Sequence, residues 1–72
     1  MTKTKIRLDT LSSVNKFVET MSRIDARVWL EDDGNCRVSA RSVLGVLYSL
    51  EWNTIYCYCE KDISAYLMPW MI

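Results

Sequence analysis

Val38-Ser39-Ala40-Arg41-Ser42-Val43-Leu44-Gly45-Val46-Leu47 joins a polar segment directly to an apolar block, with no proline between them. That pattern predicts a strand passing into a short helix. A serine at such a junction can accept hydrogen bonds from the unpaired N–H groups of the first helical turn, where the helix dipole also favours negative charge. Ser42 is therefore either a helix cap or a functional residue, and spacing alone favours the cap. The helix should run from Ser42 to about Tyr48–Leu50. Gly45 weakens it by ~1 kcal/mol relative to alanine unless a neighbour packs closely there.

Upstream, Ala26-Arg27-Val28-Trp29-Leu30-Glu31 alternates so that Val28 and Leu30 share one face while Arg27 and Trp29 share the other. Asp32-Asp33-Gly34-Asn35 is turn chemistry, with Gly34 able to supply a positive φ. The second strand of the hairpin would be Cys36 to Ser39, with Cys36 and Val38 inward. Earlier still, Leu11, Val14, Phe17, Val18, Met21 and Ile24 fall on one helical stripe, and Lys5 to Leu8 alternates as a short first strand with Ile6 and Leu8 together.

Downstream, Thr54-Ile55-Tyr56-Cys57-Tyr58-Cys59 is the strongest strand signal, with Ile55 and the two cysteines on one face and both tyrosines on the other. Asp62 can cap a last helix, Ile63 to Met68, carrying Ile63, Tyr66 and Leu67 at helical spacing. Pro69 ends or kinks it, leaving Trp70-Met71-Ile72 as an apolar tail that folds back or joins a contact. The order strand, helix, strand, strand, helix, strand, helix predicts an α+β fold: a four-stranded antiparallel sheet with three helices on one face.

Composition narrows the function. At 72 residues the chain is a single domain, 1–72, whose folding buries only about 60 % of its unfolded surface. Nine basic residues balance nine acidic ones and neither sign forms a run, so nucleic acid and anionic membrane are not expected partners. The apolar segments are shorter than the ~20 residues a bilayer span needs, and Met1 to Lys5 leads into a strand rather than a signal-peptide core, which predicts a cytoplasmic protein.

Cys36, Cys57 and Cys59 make an odd count, as expected of free thiols. With no histidine to complete a four-ligand site, they read as small buried hydrophobes, and no metal or cofactor is expected. The carboxylates are scattered and the two glycines stand apart, so neither an acid–base pair nor a phosphate loop is formed. An enzyme is not expected. Trp29, Tyr56 and Tyr58 should lie on the open face of the sheet, either as an interface patch or as stabilising cross-strand pairs.

With that element order, two segments resemble the HPr family, the small phosphocarrier proteins of the bacterial sugar phosphotransferase system. Lys16-Phe17-Val18-Glu19, followed by a hairpin centred on Gly34, looks like the family's first helix and second and third strands. Ser39 to Leu47 looks like the lead-in, regulatory serine and short second helix of HPr from Gram-positive bacteria. The resemblance spans roughly Lys5 to Glu60. It implies an open-faced β-sandwich, with Ser42 at the regulatory serine, Arg41 at the preceding lysine, and Val43, Leu44 and Leu47 in a partner-docking helix. The implied partners are HPr kinase/phosphorylase or a transcriptional regulator.

The departures are chemical. The family's phosphocarrier reaction needs a histidine at the start of the first helix, with arginine and then proline from two residues later. Thr10, Ser12 and Ser13 stand at those former active-site positions, and the chain contains no histidine. Phosphohistidine transfer is therefore excluded, and a threonine phosphate is too stable to hand on. The connection after the second helix and the last helix are also shorter than in the family. What remains is a non-catalytic regulatory or adaptor module, controlled by phosphorylation at Ser42, or an HPr-fold homodimer using the aromatic sheet face or the tail with no regulatory phosphate.

Overall fold

The computed structural model describes residues 1–34 and 36–72. The chain forms β1 (Thr2–Ile6), α1 (Leu11–Ser22), β2 (Val28–Glu31), β3 (Arg37–Ser39), α2 (Val43–Ser49), β4 (Ile55–Cys59) and α3 (Ser64–Leu67), the last followed by a 3-10 turn, Met68–Trp70. The four strands form one antiparallel sheet in the order β1-β4-β2-β3. The α+β class, the antiparallel sheet and the three helices agree with expectation.

β4, the segment richest in β-branched and aromatic residues, has partners on both sides. Its inward residues Ile55, Cys57 and Cys59 join Ile6, Val28 and Leu30 in a single core with Val14, Phe17 and Met21 of α1, Val46 of α2 and Leu67 of α3. Gly45 has a packing reason: a Cβ there would stand 3.1 Å from Cβ of Val38. Glycine lets α2 lie close against β3.

Several expectations are corrected. The first strand occupies Thr2–Ile6 rather than Lys5–Leu8, because the register Thr2↔Cys59 to Ile6↔Ile55 matches it to the five residues of β4. Leu11 is 61 % exposed: as the first helical residue its side chain leans back past the N-terminal end instead of onto the stripe. Cys36 is exposed and precedes β3, so it does not face inward.

Gly34 does not adopt a positive φ. The carboxylate of Asp32 organises the turn, accepting the N–H groups of Gly34 at 2.9 Å and Cys36 at 3.2 Å, while Asn35 of the predicted turn lies outside the described residues. The last helix begins at Ser64 with no side-chain bond from its own cap, Ile63. Asp62 still receives the Ser64 N–H at 3.0 Å and hydroxyl at 2.8 Å, and these bonds hold its carboxyl below the usual range. Tyr66 is exposed, apart from the buried pair Ile63 and Leu67.

The tail folds back. Pro69 sits in the 3-10 turn, which delivers the Trp70 ring edge-on to Phe17 with centroids 5.2 Å apart. The Arg7 N–H then donates to the Trp70 carbonyl at 2.8 Å, Ile6 and Met71 bridge, and the Ile72 N–H reaches the Lys5 carbonyl at 3.3 Å. The C-terminal end of the outer edge of β1, at Lys5 and Ile6, is thereby paired. No described helix is long and apolar enough to cross a membrane.

Candidate functional site

The second helix is built as its sequence prescribes. Ser42 Oγ accepts the Gly45 N–H at 3.1 Å and Ser42 O accepts from Val46 at 2.9 Å, while Ser39 Oγ takes the Arg41 N–H at 3.1 Å. Ser42 is thus the helix cap, with an exposed side chain. Val46 and Ser49 anchor α2 inward, the Ser49 hydroxyl donating to the Val46 carbonyl at 2.6 Å. What turns outward is apolar: Val43 is 40 % exposed, Leu44 80 % and Tyr48 53 %, beside a half-buried Leu47.

Tyr48 belongs to this ridge although only Val43, Leu44 and Leu47 were named from sequence. Its signal was available, since it stands four positions after Leu44 and so on the same side of a helix.

Arg41 also has a task within the fold. Its guanidinium donates to the carbonyls of Met21 at 3.3 Å, Ala26 at 2.6 Å and Ile24, gathering the backbone where α1 ends. A cation at that terminus also complements the helix dipole. The group that would meet a partner or a phosphate is already engaged by its own fold.

Thr10, Ser12 and Ser13 form an ordinary helix start. Thr10 Oγ1 accepts the Ser13 N–H at 3.0 Å and its hydroxyl donates to Ser13 Oγ, also at 3.0 Å. Ser12 is exposed on a cleft of about 880 Å³ whose lining includes Arg7, Lys16 and Trp70, with Asp9 and Glu19 offsetting the positive charge.

On the side of the sheet away from the helices, register places Lys3, Tyr58, Trp29 and Ser39 in one row and Lys5, Tyr56, Glu31 and Arg37 in the next. Trp29 and Tyr58 are stacked, with centroids 5.7 Å apart and planes 6° apart. The Lys3 ammonium lies 4.3 Å from the Tyr56 ring centre, and Arg37 and Arg27 lie 5.3 Å and 5.9 Å from the Trp29 ring. Glu31 Oε2 accepts the Trp29 indole N–H at 2.6 Å and pairs with Arg37 at 3.0 Å. The aromatics therefore do form cross-strand and cation–π pairs, and they remain half-exposed.

The cysteines divide by environment. Cys57 and Cys59 are buried, and burial together with Cys59 pushes the Cys57 thiol up to about 12, keeping it protonated and unreactive at neutral pH. Among the described residues no group of three His, Cys, Asp or Glu side chains converges as a metal site requires. Cys36 is the exposed thiol. A maleimide added to the native protein at pH 7 should label Cys36 alone, with Cys57 and Cys59 reacting only after denaturation, as peptide mass mapping would show. Rapid native labelling of Cys57 would contradict the packing described.

No family model matches the chain, and neither curated proteins nor solved structures yield a significant match.

Proposed function

We propose that this chain is a non-catalytic, HPr-like binding module of a bacterial cytoplasm, related to the phosphotransferase system and acting as a regulator or adaptor. The observation that carries the reading is the exposed apolar ridge Val43, Leu44, Leu47 and Tyr48 on a helix that begins at Ser42. The element order and antiparallel sheet fit the sandwich the resemblance implies. With no histidine in the chain, phosphohistidine transfer is excluded, and Ser42 at the start of α2 is the hydroxyl placed to carry a regulatory phosphate.

Phosphorylation of Ser42 would add about −1.5 to −2 charges at the rim of the ridge. Because Arg41 is held by α1, the added charge is left facing any partner that docks on α2. A homodimer through the aromatic face is the weaker reading, since isologous pairing would bring together two copies of a face that carries Lys3, Lys5, Arg27 and Arg37.

The test is incubation with ATP and HPr kinase/phosphorylase from a Gram-positive bacterium, with mass-spectrometric mapping. Phosphate should appear on Ser42 and vanish in Ser42→Ala, a variant that also loses the cap at a cost of about 1 kcal/mol. Leu44→Asp should slow the modification at least tenfold with little change in melting temperature, because Leu44 is 80 % exposed. A protein left unmodified, or a Leu44→Asp variant modified at the wild-type rate, would overturn the reading.

A further inference from the structure

We propose that the open sheet face is a binding site for single-stranded nucleic acid, independent of α2. The chain is neutral overall and its basic residues are dispersed, so the linear sequence gives no sign of such a site. Strand alternation and register gather them. Lys3 and Lys5 stand on edge strand β1, Arg37 on edge strand β3, and Arg27 just before β2. Between these positive margins, the two central strands β4 and β2 carry Tyr56, Tyr58 and Trp29.

Two carboxylates adjoin the face, Glu31 beside Arg37 and Glu60 beside Arg27. Glu31 is taken by Trp29 and Arg37, and Glu60 accepts the Arg27 backbone N–H at 3.0 Å. Four cations against two carboxylates leave a net charge of +2 on this surface of a neutral molecule. At the β2–β3 end lies a hollow of about 360 Å³ bordered by Trp29, Arg27, Arg37 and Ser39. An aromatic wall, a hydroxyl and three arginines, of which Arg41 is held by carbonyls of its own fold, suit one nucleotide in such a hollow, its base against the indole and its phosphate on Arg27 or Arg37. From there Tyr58 and Tyr56 continue a line of rings toward Lys3 and Lys5.

Positive margins that follow a phosphate backbone and half-exposed rings that accept any base make up the general chemistry of sequence-tolerant single-strand binding. An acidic peptide would satisfy the cations and leave the rings unused. A second copy of the same face would be repelled.

The test is fluorescence anisotropy of labelled dodecamers of deoxythymidine and of uridine, titrated with the full chain at 50 and 200 mM salt. A glutamate dodecamer serves as a competitor of similar charge. Saturable binding is expected to weaken with salt with a log–log slope of about −2, the value for roughly three phosphates on a single strand. Lys3→Glu/Lys5→Glu, two exposed positions, should weaken binding at least tenfold, and Trp29→Leu about tenfold. If Trp29→Leu fails to fold, the lysine variant together with quenching of tryptophan fluorescence by the oligonucleotide decides the matter. No saturable binding at 50 mM salt, displacement by the glutamate dodecamer at equal concentration, or indifference to both substitutions would overturn the site. Self-association lost in Trp29→Leu would reassign the face to a dimer.

Discussion

Arg41→Met is expected to lower the unfolding free energy by about 2–3 kcal/mol, a large loss for a residue so near the surface, because hydrogen bonds to a charged group contribute about 1.5–3 kcal/mol. The substitution keeps much of the side-chain stem but leaves the Met21, Ile24 and Ala26 carbonyls without their common donor. Arg41→Lys should recover only part of the loss, since a single ammonium lacks the planar fork that reaches several carbonyls at once. Urea denaturation monitored by circular dichroism checks this, with the midpoint falling and the slope unchanged. A domain of this size should lose about 4–8 °C of melting temperature per kcal/mol. Wild-type stability in Arg41→Met would assign the residue to partner contact instead.

Trp70→Ala is the second large effect, at about 3–5 kcal/mol from lost burial and the cavity left behind. At roughly 0.05–0.15 kcal/mol per residue, the whole stability of such a chain is about 4–11 kcal/mol, so the variant should lose a large fraction of it and melt well below the wild type. The ring is buried against Phe17, itself fully enclosed, and the carbonyl of the same residue holds the Arg7 amide. Trp70→Phe should retain most of the stability, since it preserves an aromatic contact. Thermal melts rank the three proteins. Hydrogen exchange at the Arg7 amide reports locally, and fast exchange in Trp70→Ala with a wild-type melt would place the stabilising contacts elsewhere.

Both residues show what was legible in the chain and what was not. The stripe Val14, Phe17, Val18 and Met21, the alternation of Val28 and Leu30, the Ser42 cap and the face formed by Ile55, Cys57 and Cys59 could all be read from spacing, because each depends on neighbours within one element. The span of β1 could not, since its inward Thr2 and Thr4 carry little apolar signal and its length is imposed by β4. The intrachain bonds of Arg41 and the seat of Trp70 could not either, because their partners, Ala26 and Phe17, lie 15 and 53 positions away. At the candidate site, the ridge on α2 could be anticipated from helical periodicity, apart from Tyr48. The placing of Lys3 and Lys5 beside Tyr58 and Tyr56, and of Arg37 beside Trp29, could not, because register sets it.

The strand order carries a consequence for how the molecule assembles. β2 and β3 meet across a short turn and can pair at once, whereas Thr2 of β1 must find Cys59 across nearly the whole chain. Such pairing meets the entropy of closing a long loop before any contact offsets it, and domains rich in it fold more slowly than helical ones of equal stability. During synthesis β1 emerges first yet has nothing to join until β4 is complete. The segment carrying Lys3 and Lys5 therefore remains open longest, and the positive margin it contributes is complete only when the sheet closes.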